Sequence, residues 1–82
     1  MGNTKLEMYI TIVSTLLKYG PLTLNEVASF SNVDFRWIKE HVTLLIKQGL
    51  IREERIGAIV TYSITDCGIK ILRFFKVKAP AQ

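Results

Sequence analysis

The sequence predicts one α+β domain: three helices, a two-stranded β-hairpin and a short fourth helix. Three observations carry that expectation. Apolar residues recur at helical spacing in three stretches separated by turn or capping residues. After Gly49 the period drops from 3.6 to 2, the spacing of a strand. Thr65-Asp66 then opens a return to helical spacing.

In the first helix, residues 6–19, the apolar stripe is Leu6, Tyr9, Ile10, Val13, Leu16 and Leu17. Asn3 or Thr4 can cap its start, Lys18 suits the negative end of its dipole, and Gly20-Pro21 ends it. Thr23 and Glu26 have the spacing of a capping box, with Leu22 and Val27 placed as a hydrophobic staple. A short second helix therefore starts at Leu24 and ends near Phe30, and Ser31-Asn32-Val33 reads as a turn. Asp34 caps a third helix that runs to Gln48, with Ile38, Val42 and Leu45 as its inward stripe and Gly49 as its stop. Residues 51–55 and 59–65 are strand-like and flank Gly57-Ala58, a hairpin pattern in which Val60, Tyr62 and Ile64 share a face. The last helix offers Ile71, Leu72 and Phe75 as apolar positions, and residues 76–82 are expected to fray.

The 82 residues suffice for one domain spanning 1–82 and leave a thin stability margin. The net charge of +4 is unevenly spread: residues 1–35 carry −1 and residues 36–82 carry +5. A basic second half suits a polyanionic partner. A single cysteine, Cys67, excludes an internal disulfide and a cysteine-based zinc site, and a lone histidine, His41, leaves no second histidine for a metal site. No cofactor or metal is expected. Phosphate-binding glycine loops, nucleophile–base pairs and paired acids are absent from the sequence, so no enzyme is read. Residues 1–5 lead into an amphipathic stretch and read as no signal peptide, and no run reaches the length of a membrane span, which makes the cytoplasm the expected compartment.

Two short helices joined by a turn can present the second to a DNA major groove, and a hairpin just after it can reach flanking backbone. The residues that bear on this are Val27-Ala28, Ile38-Lys39-Glu40-His41-Val42 and Leu45-Ile46-Lys47-Gln48-Gly49-Leu50-Ile51. With Tyr62-Ser63-Ile64-Thr65-Asp66-Cys67-Gly68 and Ile71-Leu72, they resemble the winged helix-turn-helix of MarR/ArsR-type regulators. The resemblance extends to small archaeal winged-helix regulators and chromatin proteins, and it covers almost the whole chain. It implies a winged helix that binds double-stranded DNA as a transcription regulator, with the third helix as the recognition helix.

Helical geometry puts Arg36, Glu40, Thr43 and Lys47 opposite the inward stripe, with Lys39 on one flank and Trp37, His41 and Leu44 on the other. Arg36 is the leading base reader, since a guanidinium can bond guanine O6 and N7 together. Trp37, Glu40 and Thr43 complete the base-reading candidates, with Glu40 limited to accepting from cytosine N4. Lys39, Lys47, Arg52 and Arg55 are the phosphate contacts, with Lys70 and Arg73 as further candidates. His41 is expected at the edge of the core or facing phosphate, and Cys67 is expected to pack.

A homodimer through the first and last helices is expected, with Tyr9, Leu16, Phe74 and Phe75 at the interface. Adjacent Phe74 and Phe75 point in different directions, and one of them needs cover from a second copy. The alternative to DNA binding is a winged helix used as a protein-interaction module. It draws on the apolar tip Ile56-Gly57-Ala58-Ile59, the acidic pair Glu53-Glu54 and the aromatic groups of the third helix.

Overall fold

The computed structural model of the chain describes the backbone of residues 5–78 and the side chains of residues 5–75. The order is α1 (Lys5–Tyr19), α2 (Leu24–Ser31), α3 (Phe35–Lys47), β1 (Ile51–Ile56), β2 (Ile59–Ile64) and α4 (Asp66–Lys78). The expected α+β succession holds in type and order.

Local chemistry sets the boundaries. Thr23 Oγ1 accepts the Glu26 N–H while Glu26 Oε1 accepts the Thr23 N–H, so the capping box is complete, and Leu22 and Val27 are both buried beneath it. At the other end of α2, Asn32 takes the left-handed conformation and Val33 N–H bonds back to the Ala28 carbonyl. That is a Schellman closure with asparagine in the glycine position, and it adds a residue, Ser31, to the helix. Gly49, at φ +78, closes α3 the same way, with Leu50 N–H on the Leu45 carbonyl and Gly49 N–H on the Ile46 carbonyl.

The hairpin pairs Ile51 with Ile64 through Ile56 with Ile59, leaving Gly57 and Ala58 as a two-residue loop. Gly57 alone of the two has a positive φ, as a type II′ turn requires. On its far side β2 gains a bridge, because Leu22 and Tyr62 exchange both backbone bonds. This bridge ties the segment before α2 to the hairpin.

The core gathers Ile12, Val13 and Leu16 of α1, Leu22, Val27 and Ala28 of α2 and its approach, the α3 stripe Ile38, Val42 and Leu45, Ile51, and Leu72 of α4. The α3 expectation is met residue for residue. The α1 stripe differs: Ile12 is fully buried, while Leu6 and Leu17 are exposed. The reason is that α1 packs on α2, β2 and α4, and the face it turns to them, with Tyr9, Ile12, Val13, Thr15 and Leu16, is rotated from the expected stripe toward Ile12. Leu16 is also 1% exposed inside the chain, which corrects its expected place at a dimer interface. A side chain enclosed by its own domain has no surface to offer a second copy.

The last helix is longer than expected. It takes in residues 76–78, the first three of the expected tail, where Lys-Val-Lys contains no helix breaker. The proposed cap at Asn3 or Thr4 and the remainder of the expected tail, 79–82, lie outside the described residues. No helix among the described residues is long and apolar enough to cross a membrane.

Candidate nucleic-acid interface

A domain this small keeps one helix face outward only if the opposite face is filled. Ile38, Val42 and Leu45 fill it here, and the backbone turn between successive positions carries Arg36, Lys39, Glu40, Thr43 and Lys47 into solvent. At about 1.5 Å per residue α3 is roughly 20 Å long, and a major groove about 12 Å wide admits a helix of this kind. The surface charge of α3 is mixed: Arg36, Lys39 and Lys47 stand with Asp34 and Glu40.

On this face the side-chain hydrogen bonds gather in the first turn of α3. Asp34 Oδ1 accepts the Arg36 N–H at 2.9 Å as an N-cap, and the same carboxylate takes Arg36 Nη2 at 2.8 Å. Hydrogen bonds from the Arg36 side chain, then from its backbone, hold the Asp34 carboxyl below its ordinary range, and Asp34 raises the Arg36 guanidinium in return. Phe35 and Trp37, either side of Arg36, are exposed, Trp37 by 52%. Packing of either ring against α1 or α2 does not account for that exposure.

His41 is half-buried, its ring meeting that of Tyr9 edge-on at 5.6 Å. It sits at the edge of the core, as expected. Between this pair and the outer face of α3 runs a groove of about 660 Å³, which adds Lys5 and Met8 of α1 to Trp37, Glu40, Thr43, Leu44 and Lys47. Neither Lys5 nor Met8 was legible as a neighbour of α3. Their place depends on how α1 crosses the domain, and no local signal encodes that.

The wing carries Arg52 and Arg55 exposed on β1. Arg52 Nη2 lies 3.4 Å from Glu54 Oε2, an exposed pair of small energetic weight. At the tip Ile56 and Ile59 are 77% and 61% exposed. Tyr62 is partly buried, and that burial, followed by the charge of Glu53, pushes its hydroxyl above the ordinary tyrosine value.

The junction after the wing gives the Thr65-x-x-Gly68 spacing a physical role. Thr65 Oγ1 donates to the Gly49 carbonyl at 2.6 Å and accepts the Gly68 N–H at 3.1 Å, while Thr65 N–H bonds the Leu50 carbonyl. One threonine thus caps α4 and fastens it to the turn between α3 and β1. Cys67 is exposed in that first turn of α4, not packed as expected, because the buried positions there are Gly68 and Leu72. Among the described residues no cluster of three or more His, Cys, Asp or Glu is placed to hold a metal.

A helix-turn-helix followed directly by a hairpin and a packed fourth helix defines a winged helix. No family profile matches the chain, and no curated protein does. Solved structures do. BpsR of Bordetella bronchiseptica, solved to explain how 6-hydroxynicotinic acid regulates its DNA binding, superposes with a TM-score of 0.79 at 14% identity over 85% of this chain and 51% of that one. The PcaV transcriptional regulator of Streptomyces coelicolor gives 0.78 at 23% identity over 85% and 52%. A MarR family transcriptional regulator from Silicibacter pomeroyi gives 0.76 at 24% over 84% and 48%. The chain therefore has a MarR-like winged-helix fold, and it spans about half the length of these structures.

Proposed function

We propose that the chain is the double-stranded DNA-binding unit of a transcription regulator, with α3 in the major groove and the wing beside it on the backbone. The observation that carries this reading is the division of α3, whose inward stripe Ile38, Val42 and Leu45 is buried while Arg36, Lys39, Thr43 and Lys47 are all exposed. The likeness of fold to solved transcriptional regulators supports it.

In this arrangement Arg36, with Trp37, Glu40 and Thr43, faces base edges. Lys39, Lys47, Arg52 and Arg55 meet phosphates and fix the register without reading sequence. A homodimer sets two copies of α3 about one helical turn, roughly 34–36 Å, apart. The α1–α4 face supports such a dimer. Leu6, Ile71 and Phe74 are exposed there, and Leu6, Tyr9, Ile10, Val13, Ile71 and Phe75 line a wholly apolar recess of about 80 Å³. Of the residues expected at the interface, Tyr9, Phe74 and Phe75 remain candidates.

The test is fluorescence anisotropy of the chain with random-sequence duplex across a salt series. Four phosphate-binding cations give log K against log[salt] a slope of about −3 to −4 per protomer, at roughly −0.9 per neutralised phosphate. Absence of binding at low salt refutes the reading. The exposed apolar wing tip favours a second reading, a protein-interaction module, and that result would leave it standing.

A further inference from the structure

The base-reading cation of α3 is already held by a carboxylate. Asp34 engages one edge of the Arg36 guanidinium, with Oδ2 accepting from Nη2 at 2.8 Å and from Nε at 3.2 Å and Oδ1 accepting from Nε at 3.3 Å. A guanidinium is a rigid planar fork with five N–H donors. Its opposite edge, formed by Nη1 and the second Nη2 hydrogen, takes no hydrogen bond among the described residues. That edge has the two parallel donors that guanine O6 and N7 require. The pair is also open to solvent, with side chains 77% and 46% exposed, so as a surface ion pair it does little for the fold. A cation meant only for phosphate gains nothing from a carboxylate beside it.

We propose that Asp34 is a positioning residue for base recognition. It grips Arg36 by one edge, presents the other edge to a guanine, and keeps the phosphate backbone from capturing the guanidinium. This inference rests on the reading of α3 as a DNA-contacting helix. Held in this way, Arg36 adds sequence preference and little counterion release. Freed, it swings to the nearest phosphate and trades preference for affinity.

Asp34→Asn separates this role from capping, because asparagine caps a helix as well as aspartate does. Asp34→Ser, another good cap, guards against a defect peculiar to one variant. The full chain is measured by anisotropy against its selected duplex site and single-base variants of that site, each across a salt series, with melting temperature as the folding control. With melting unchanged, both variants should lose guanine preference at one position by about fivefold, the lower end of the discrimination of a bidentate base contact. Both should also steepen the salt slope by about 0.9, one phosphate more. In an Arg36→Ala background, Asp34→Asn should alter neither preference nor slope. Wild-type preference and slope in both capped variants would overturn the proposal and leave Asp34 a cap alone, as would an equal loss of preference in the Arg36→Ala background. Failure of the wild-type chain to bind duplex at low salt would overturn the underlying reading as well.

Discussion

Gly68 sits where the account of the wing junction is most exposed to test. A Cβ there would press into the Leu50 carbonyl oxygen and lie 2.7 Å from Ile64 Cγ1. The first obstacle is backbone, fixed by the Thr65 N–H and by the Schellman turn that ends α3, so it cannot swing aside as a side-chain tip can. Overpacking of this kind costs about 1–3 kcal/mol. Alanine returns at most about 1 kcal/mol of helix preference, and less so near a helix start. The net expectation for Gly68→Ala is a loss of about 1–2 kcal/mol, which lowers the melting temperature of a domain this size by roughly 4–16 °C.

Gly49 supplies the control. It also lies in that junction, but a Cβ there meets nothing within 4 Å, and only its positive φ resists substitution. Asparagine tolerates that conformation, so Gly49→Asn should be milder than Gly49→Ala. At Gly68, where space is the obstacle, Gly68→Ser should be at least as harmful as alanine. Thermal unfolding by circular dichroism reads all four variants. A Gly68→Ala melt within 2 °C of wild type would refute the argument from close packing at the junction.

Further expectations follow from the same geometry. Leu16→Ala, at a residue 1% exposed, should cost about 2–5 kcal/mol in urea unfolding, where an interface residue would leave the monomer untouched. Ile71→Glu, on the α1–α4 face, should convert the dimer to monomer by light scattering while leaving the fold intact; a mass independent of concentration in the unsubstituted chain would end the dimer proposal. Arg36→Ala should relax preference at one base position by about 1–3 kcal/mol, and Lys39→Ala should weaken all sequences alike. The Asp34 carboxyl is held below its ordinary value in the folded chain. Its contribution to stability is therefore present above the ordinary carboxylate value and is lost as pH falls through the lowered one. The pair is exposed, so wild type should exceed Asp34→Asn in urea unfolding at neutral pH by too little to move the melting temperature, and the two should converge in that acid window.

Much of the fold was legible because its signals are local. Thr23 and Glu26, Asp34, Gly49 and Thr65 mark helix ends through bonds between near neighbours in the chain, and each made the bond its position implied. The α3 stripe was legible because this helix buries a single face. For α1 the same reasoning missed Ile12 and misplaced Leu16, since several apolar faces were open to this helix and its tertiary packing on α2, β2 and α4 chose among them. At the candidate interface, the outward set on α3 follows from periodicity. The Lys5–Met8 wall of the groove does not, as it depends on a tertiary crossing. The Asp34–Arg36 pair lay between: both residues stood out, but the cap reading hid the side-chain bond.

The central claim is that the outer face of α3 meets duplex DNA. Its most direct test is an amide chemical-shift titration of the chain with a short duplex at low salt. Perturbations should concentrate at Arg36, Lys39, Glu40, Thr43 and Lys47, extend to Arg52 and Arg55, and fade as salt is raised. Shifts confined to residues outside that set, such as Tyr19 and Phe30, or no shifts at all, would contradict it.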